Sequence, residues 1–234
     1  MSTELPRDGA QLWIVIPAYN EGPSIRGVVD DLLGRGHAVV VVDDGSSAPL
    51  IELLRGTTAH VLRHTINLGQ GAALQTGITY ALLQRAEVIV TFDADGQHQS
   101  SDIPALTAPI LEGRVEVVLG SRFLEGGKAV HITRSKRTVL KLAVAFTRWT
   151  TGLAVTDTHN GLRALSRSAA GSLRITQNGM AHASQILQEI AAQKLKFTEV
   201  PVTVIYTEYS VRKGQRLTNA FNILWESFAE FFYR

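Results

Sequence analysis

Through its first half the chain alternates between two hydrophobic patterns. Short unbroken apolar runs lie at residues 12–16, 38–42, 59–63, 88–92 and 115–119. They are rich in Val and Ile, as expected of strands buried on both faces of a parallel sheet. Between them, apolar residues recur at helical spacing. Ile25, Val28, Val29, Leu32 and Leu33 mark one helix ending at Gly34, and Leu74, Ile78, Ala81 and Leu82 mark another ending near Leu83. Residues 50–54 predict a short helix and 103–111 a further one. Pro17 should end the first strand, because it cannot donate to a ladder. Asn20 is placed to cap the helix after it, with Glu21 in or near the first turn. This alternation predicts βαβ units and a mostly parallel α/β sheet.

The second half reads differently. Residues 134–150 predict a helix with Val139, Leu142, Ala143, Phe146 and Trp149 along one side and Arg134, Lys136, Arg137, Lys141 and Arg148 elsewhere. Residues 157–166 begin polar and end strand-like, 181–193 predict a helix, and 196–206 alternate like an edge strand containing Pro201. A basic turn precedes a last helix at 217–232. With no low-complexity linker or repeat, one domain is expected: about 12–120 as one half, 121–216 as the other, and 217–234 as an amphipathic helix.

Polar residues cluster just after the strands: Tyr19 and Glu21, Asp43 and Asp44, Asp93 and Asp95, and Arg122. Parallel strands bring such ends to one edge, where open α/β sheets bind ligands. Asp93 and Asp95 stand one residue apart at the end of a buried strand. Unpaired carboxylates there are costly, and a hard cation such as Mg²⁺ or Mn²⁺ would offset that cost. Gln97 and His98 follow directly and offer a further ligand or a contact to a substrate oxygen.

Composition narrows the chemistry. The 234 residues contain no Cys, which excludes disulfides, thiol catalysis and thiolate metal sites. The formal net charge is +2, so nucleic acid is not implied as a partner. Six Lys and Arg and no Asp or Glu fall between Lys128 and Arg148, a local basic stretch. The opening residues lack the apolar core of a signal peptide, and no run approaches the ~18 apolar residues of a spanning helix. A cytoplasmic location is expected.

The ordered set P-A-Y-N-E, D-D-G-S, N-L-G-Q-G-A-A-L, D-A-D-G-Q-H and G-S-R resembles glycosyltransferase family 2. D-T-H-N-G-L-R-A-L and Y-S-V-R-K-G-Q-R-L resemble second-half motifs of its polyprenyl-phosphate branch, typified by dolichol-phosphate mannose synthase. The resemblance covers about residues 12–220 and implies a GT-A fold, Rossmann-like, with an acceptor-side half. Carried over by position, it implies that Pro17, Tyr19 and Glu21 contact the nucleoside of a UDP- or GDP-sugar. It places Asp43, with Asp44 beside it, at the base or ribose. Asp93, Ala94 and Asp95 would lie at the diphosphate, and Asp95, Gln97 and Asp93 would hold Mg²⁺ or Mn²⁺. Arg122 would reach the phosphates and the acceptor. Arg134, Thr138 and Arg137 would receive the acceptor phosphate, and Arg212 and Arg216 would close over the diphosphate.

The implied activity is inverting, metal-dependent transfer of a sugar to a polyprenyl phosphate at the inner face of the membrane. Inverting members of this fold that glycosylate a hydroxyl need a carboxylate base to take its proton. The matching stretch here, Met180 to Leu187, offers His182 and Gln185 but no acid before Glu189. A lipid phosphate is already ionised and needs no base. Transfer to a glycan hydroxyl, with His182 or Glu189 as base, is the alternative, and a catalytically idle nucleotide-sugar scaffold is a third reading. The 134–150 and 217–232 helices are candidates for the membrane surface. A small integral membrane protein or a second copy of the chain would complete the anchor.

Overall fold

A computed structural model describes residues 12–206 except Met180. In chain order its elements are β1 (Leu12–Ala18), α1 (Gly22–Gly34), β2 (Ala38–Asp43), α2 (Leu50–Leu53), β3 (His60–Arg63), α3 (Gln70–Leu83) and β4 (Val88–Thr91). A 3₁₀ turn at Ser100–Asp102 leads into α4 (Ile103–Leu111), β5 (Val117–Ser121), β6 (Lys128–Val130) and α5 (Arg134–Thr151). Then come β7 (Arg163–Ser166), α6 (Arg167–Ser172), α7 (His182–Ala192), β8 (Phe197–Pro201) and β9 (Thr203–Ile205). The predicted last helix, with Arg212 and Arg216, lies outside the described residues.

Seven strands form one sheet in the order β3-β2-β1-β4-β7-β5-β8. All pair in parallel except β7, which runs antiparallel between β4 and β5. The expected mostly parallel α/β sheet is therefore present. Alternate strand residues feed two cores. Ile14, Ile16, Val39, Val41 and Val90 pack against Ile25, Val29 and Leu32 of α1 and Ile103 and Leu106 of α4. Trp13, Val15, Val40 and Ile89 pack on the other face, against Leu74 and Ile78 of α3 and Ile186, Leu187 and Ile190 of α7. Each fully buried aliphatic side chain contributes about 1.5–3 kcal/mol, so the scaffold beneath the strand ends is rigid.

Three local expectations change. Strand β1 continues through Pro17, which pairs with Val42. The Val15 carbonyl accepts from Phe92 and the Ala18 carbonyl from Asp44, so successive residues face β4 and β2 in turn. The Pro17 nitrogen faces the β4 side, beyond the last paired residue Thr91, and no ladder bond is lost there. Asn20 does not cap α1. It has φ +55°, and its Oδ1 accepts from the backbone N and Oγ of Ser47, tying two strand-end loops together. Helix α1 starts instead at Gly22-Pro23, where Pro's fixed φ suits the first turn. The stretch 196–206 is not one strand. It splits at Val202 into β8, on the edge of the main sheet, and β9, which pairs with β6 in a second small sheet.

The direction of β7 matters most for function. Because it is antiparallel, its first residue, Arg163, lies opposite Thr91, the last residue of β4, and Leu119, two residues before the end of β5. The polar loop 157–162 therefore opens onto the same edge as the acidic strand ends.

Candidate active site

The centre of that edge is the loop after β4. Asp93 is partly exposed, and its Oδ2 takes a 2.9 Å hydrogen bond from Nε2 of the buried His98. Its Oδ1 lies 3.3 Å from Nε2 of Gln70, the first residue of α3. Burial opposes the charge of Asp93, but the His98 bond and nearby His98, His182 and Arg163 outweigh it and hold its carboxyl below the usual range. Asp95 goes the other way. Burial first, and then the charge of Asp93, push its carboxyl up, although Gln97 donates to it from both backbone and side chain. Gly161 is pressed against the Asp93 carboxylate, and any Cβ there would collide with it. The Gly161 carbonyl accepts from Thr91 Oγ1 at 2.6 Å, which fixes the two loops together.

The Asn67–Leu74 motif works from below. Gly69 has φ +102°, and a Cβ at Gly69 or Gly71 would run into the backbone at Asn178 or Gln177. Gly71 N donates to the Asn178 carbonyl at 2.8 Å. This close approach sets the segment leading to His182 beside α3, facing Asp93.

A second polar group lies beside the first. Arg122, at the end of β5, is 6% exposed. Its Nε and Nη2 donate to the two oxygens of Asp157, each at 2.6 Å, and its Nη1 donates to Tyr206 Oη at 2.6 Å. Burial works against both ions, yet each holds the other charged: the Arg122 pKa is raised and the Asp157 carboxyl is depressed. Glu199 accepts from the backbone of Thr156 and Asp157 and so fixes the loop that carries Asp157. Lys136 places its ammonium 4.3 Å from the centre of the Tyr206 ring. Burial and the Arg122 charge lower its pKa, and Asp95 raises it. The two groups are thus electrostatic neighbours.

Several expected site residues serve their own loops. Asp43 is 1% exposed and accepts from the backbone of Ser46 and Leu50. Asp44 is 2% exposed, bonds His64 and accepts from the backbone of Leu68 and Gly69. Pro17, Glu21 and Ala94 are buried, and Tyr19 is exposed beside them on the same edge. Arg134, Arg137 and Thr138 lie on the exposed side of α5, with Thr138 Oγ1 bonded to the Arg134 carbonyl.

The sequence reading gave no role to Arg163, Asp157 or Tyr206. Arg163 is 4% exposed, and burial lowers its pKa to about 10 while Asp93 and Asp157 raise it. Its signal was a charged residue inside the apolar run after the D-T-H-N-G-L loop. His182 is also buried. Its Nδ1 bonds the Gly179 carbonyl at 2.8 Å, and burial, then Arg163, lower its pKa to about 4.

The donors around Asp93 and Asp95 suit a hard divalent cation. Burial and then the charge of Asp93 disfavour a second negative charge at Asp95, and the Gln97 side-chain amide lies against that carboxylate, its Nε2 donating to it. Among the described residues no group of three or more acidic or His side chains is placed to bind a metal.

The family model for glycosyl transferase family 2 matches residues 13–174. The chain belongs to glycosyltransferase family 2. It is 32% identical over 235 residues to the UDP-N-acetylglucosamine–dolichyl-phosphate N-acetylglucosaminyltransferase of Methanococcus voltae, covering 92% of this chain and 93% of that one. It is 27% identical over 212 residues to the polyprenol monophosphomannose synthase of Mycolicibacterium smegmatis, covering 86% and 79%. The resemblance to the polyprenyl-phosphate branch is borne out by relatives so named. Among solved structures it is similar to glucosyl-3-phosphoglycerate synthase from Mycobacterium tuberculosis, in complex with Mn²⁺, uridine diphosphate and glucosyl-3-phosphoglycerate. The TM-score is 0.68 at 18% identity, covering 93% of this chain and 79% of that one. The expected GT-A fold is present, and the chain is a glycosyltransferase.

Proposed function

We propose that this glycosyltransferase moves a sugar from a nucleoside-diphosphate sugar to a polyprenyl phosphate, with inversion and with a divalent cation. The observation that carries this reading is the state of His182. Burial and then Arg163 lower its pKa to about 4, which leaves it a weak base even though its Nδ1 bond to the Gly179 carbonyl works the other way. A general base works best with a pKa near the operating pH. Gln185 is bound to the backbone of residues 174, 176 and 177, and Glu189 accepts from Gln193 just past the end of α7. A hydroxyl acceptor would find poor help here, whereas a phosphate arrives deprotonated. The names of the Methanococcus and Mycolicibacterium relatives support the same acceptor.

In this reading a phosphate oxygen of the lipid forms a bond to the anomeric carbon as the bond to the donor diphosphate breaks on the opposite side. No proton moves. Asp95, Gln97 and Asp93 would hold the cation, which neutralises charge gathering on the departing diphosphate. Pro17, Tyr19, Glu21, Asp43, Asp44 and Ala94 line or build the nucleotide side of the edge, with Arg212 and Arg216 proposed to close over it. His98, Gln70 and Gly161 fix Asp93. Arg122, locked by Asp157, supplies a fixed positive charge and holds Tyr206. Arg134, Arg137 and Thr138, exposed on α5, would meet the acidic lipid at its entry. No helix among the described residues is long and apolar enough to cross a membrane. On α5, exposed Leu142 and Trp149 beside Lys141 and Arg148 form a surface suited to the interface of an anionic bilayer. The reading places the enzyme peripherally on the inner face, with a second copy or a small membrane protein as further anchor.

The test is transfer from radiolabelled UDP-N-acetylglucosamine or GDP-mannose to undecaprenyl phosphate, read as label in the organic phase. Label is expected with Mn²⁺ and not with excess chelator. No lipid product from any sugar nucleotide would overturn the reading.

A further inference from the structure

Five basic residues lie on α5, and four of them, Arg134, Arg137, Lys141 and Arg148, are exposed. Lys136 alone among these is half-buried, turned toward the strand-end edge with its ammonium over the Tyr206 ring. It makes no ion pair with any described carboxylate, and Arg122 and Asp95 are its electrostatic neighbours. A half-enclosed ammonium facing an aromatic ring and a second cation is short of negative charge. Arg122 cannot take an anion on its fork without breaking both bonds to Asp157. Tyr206 Oη accepts from Arg122, which leaves its own hydrogen to donate.

We propose that Lys136, standing on Tyr206, is the group that binds the acceptor phosphate at the point of reaction. This rests on the acceptor assigned above and sharpens it. Arg134 and Arg137 then meet the lipid at the surface, while Lys136 holds its phosphate between Arg122 and the Asp95 loop. A flexible ammonium with three donors suits this role, since the phosphate must approach the anomeric carbon along one line rather than dock in a fixed plane. Lys136 Nζ, 4.3 Å from the centre of the Tyr206 ring, and Tyr206 Oη are the two donors offered to that phosphate. The cation–π contact and the Arg122 bond keep them together.

The experiment compares wild type, Lys136→Met and Lys136→Arg with farnesyl phosphate as a short acceptor, and measures UDP and GDP affinity separately by calorimetry with Mn²⁺. Loss of a charge-assisted hydrogen bond predicts a rise of about tenfold or more in KM for farnesyl phosphate in Lys136→Met. Lys136→Arg should recover part of it, and nucleotide affinity should stay within about twofold of wild type. An unchanged KM in Lys136→Met, with wild type active, overturns this inference alone. A parallel loss of nucleotide affinity also overturns it, by moving Lys136 to the donor side. A wild type that transfers to no lipid phosphate overturns both the acceptor reading and this one.

Discussion

Replacing Asp157 with Ala should lower the unfolding free energy by about 3–5 kcal/mol, the usual cost of leaving one member of a buried ion pair alone. The Arg122 and Asp157 side chains are 5% and 0% exposed, so water cannot substitute for the lost carboxylate. Three hydrogen bonds to Asp157 disappear together, two from the guanidinium and one from the Arg122 backbone. The stranded guanidinium retains Tyr206 as a partner, which does not neutralise it. Urea midpoints at neutral pH measure the effect, and Arg122→Met in the same chain should restore part of the loss, because it removes the orphaned charge. The pair also predicts a pH dependence. Folding depresses the Asp157 carboxyl, so its contribution is complete above the ordinary carboxylate range and is lost as the pH falls through the lower folded value. The Asp157→Ala chain should therefore lose less stability on acidification than wild type.

Asp95→Asn should leave the fold intact and lower transfer by about a hundred- to a thousandfold, the scale of removing one preorganised group from the developing charge. Burial and Asp93 already disfavour a negative charge at Asp95. The neutral amide relieves that conflict, so the melting temperature should hold or rise, as it often does when strained site residues are neutralised. On the proposed reading the cation would lose one of its two carboxylate ligands, leaving Gln97 and Asp93, the latter shared with His98 and Gln70. Turnover with Mn²⁺ and a thermal melt on the same sample separate the two effects. Activity within tenfold of wild type would remove Asp95 from the site.

Much of the scaffold was legible because parallel strands buried on both faces leave continuous apolar runs, and all but one ended in a polar cluster at one edge. The loop of Asp93, Asp95, Gln97 and His98 was readable for the same reason: four polar residues in six follow a run that has nowhere solvated to go. Asp43 and Asp44 looked alike in sequence to Asp93 and Asp95. Structure separates them: the first pair accept backbone N–H groups of their own loops and of residues 68 and 69, a use that spacing cannot reveal. Arg122 was readable as a strand-end cation, but its partners lie 35 and 84 residues away. Arg163 was hidden because its strand runs antiparallel, and only pairing with β4 and β5 brings its first residue to the active edge. Lys136 was one of several basic residues on a predicted helix, and helical phase alone did not say which would face Tyr206.

The central claim is that the acceptor brings its own negative charge and needs no base. The direct measurement offers undecaprenyl phosphate and undecaprenol side by side with the same labelled sugar nucleotide, and repeats the phosphate reaction with His182→Gln. The account predicts product from the phosphate alone, with the His182→Gln rate within about tenfold of wild type, well short of the ~10²–10⁴-fold loss of a general base. Product from the alcohol, or collapse of the phosphate reaction in His182→Gln, would contradict it.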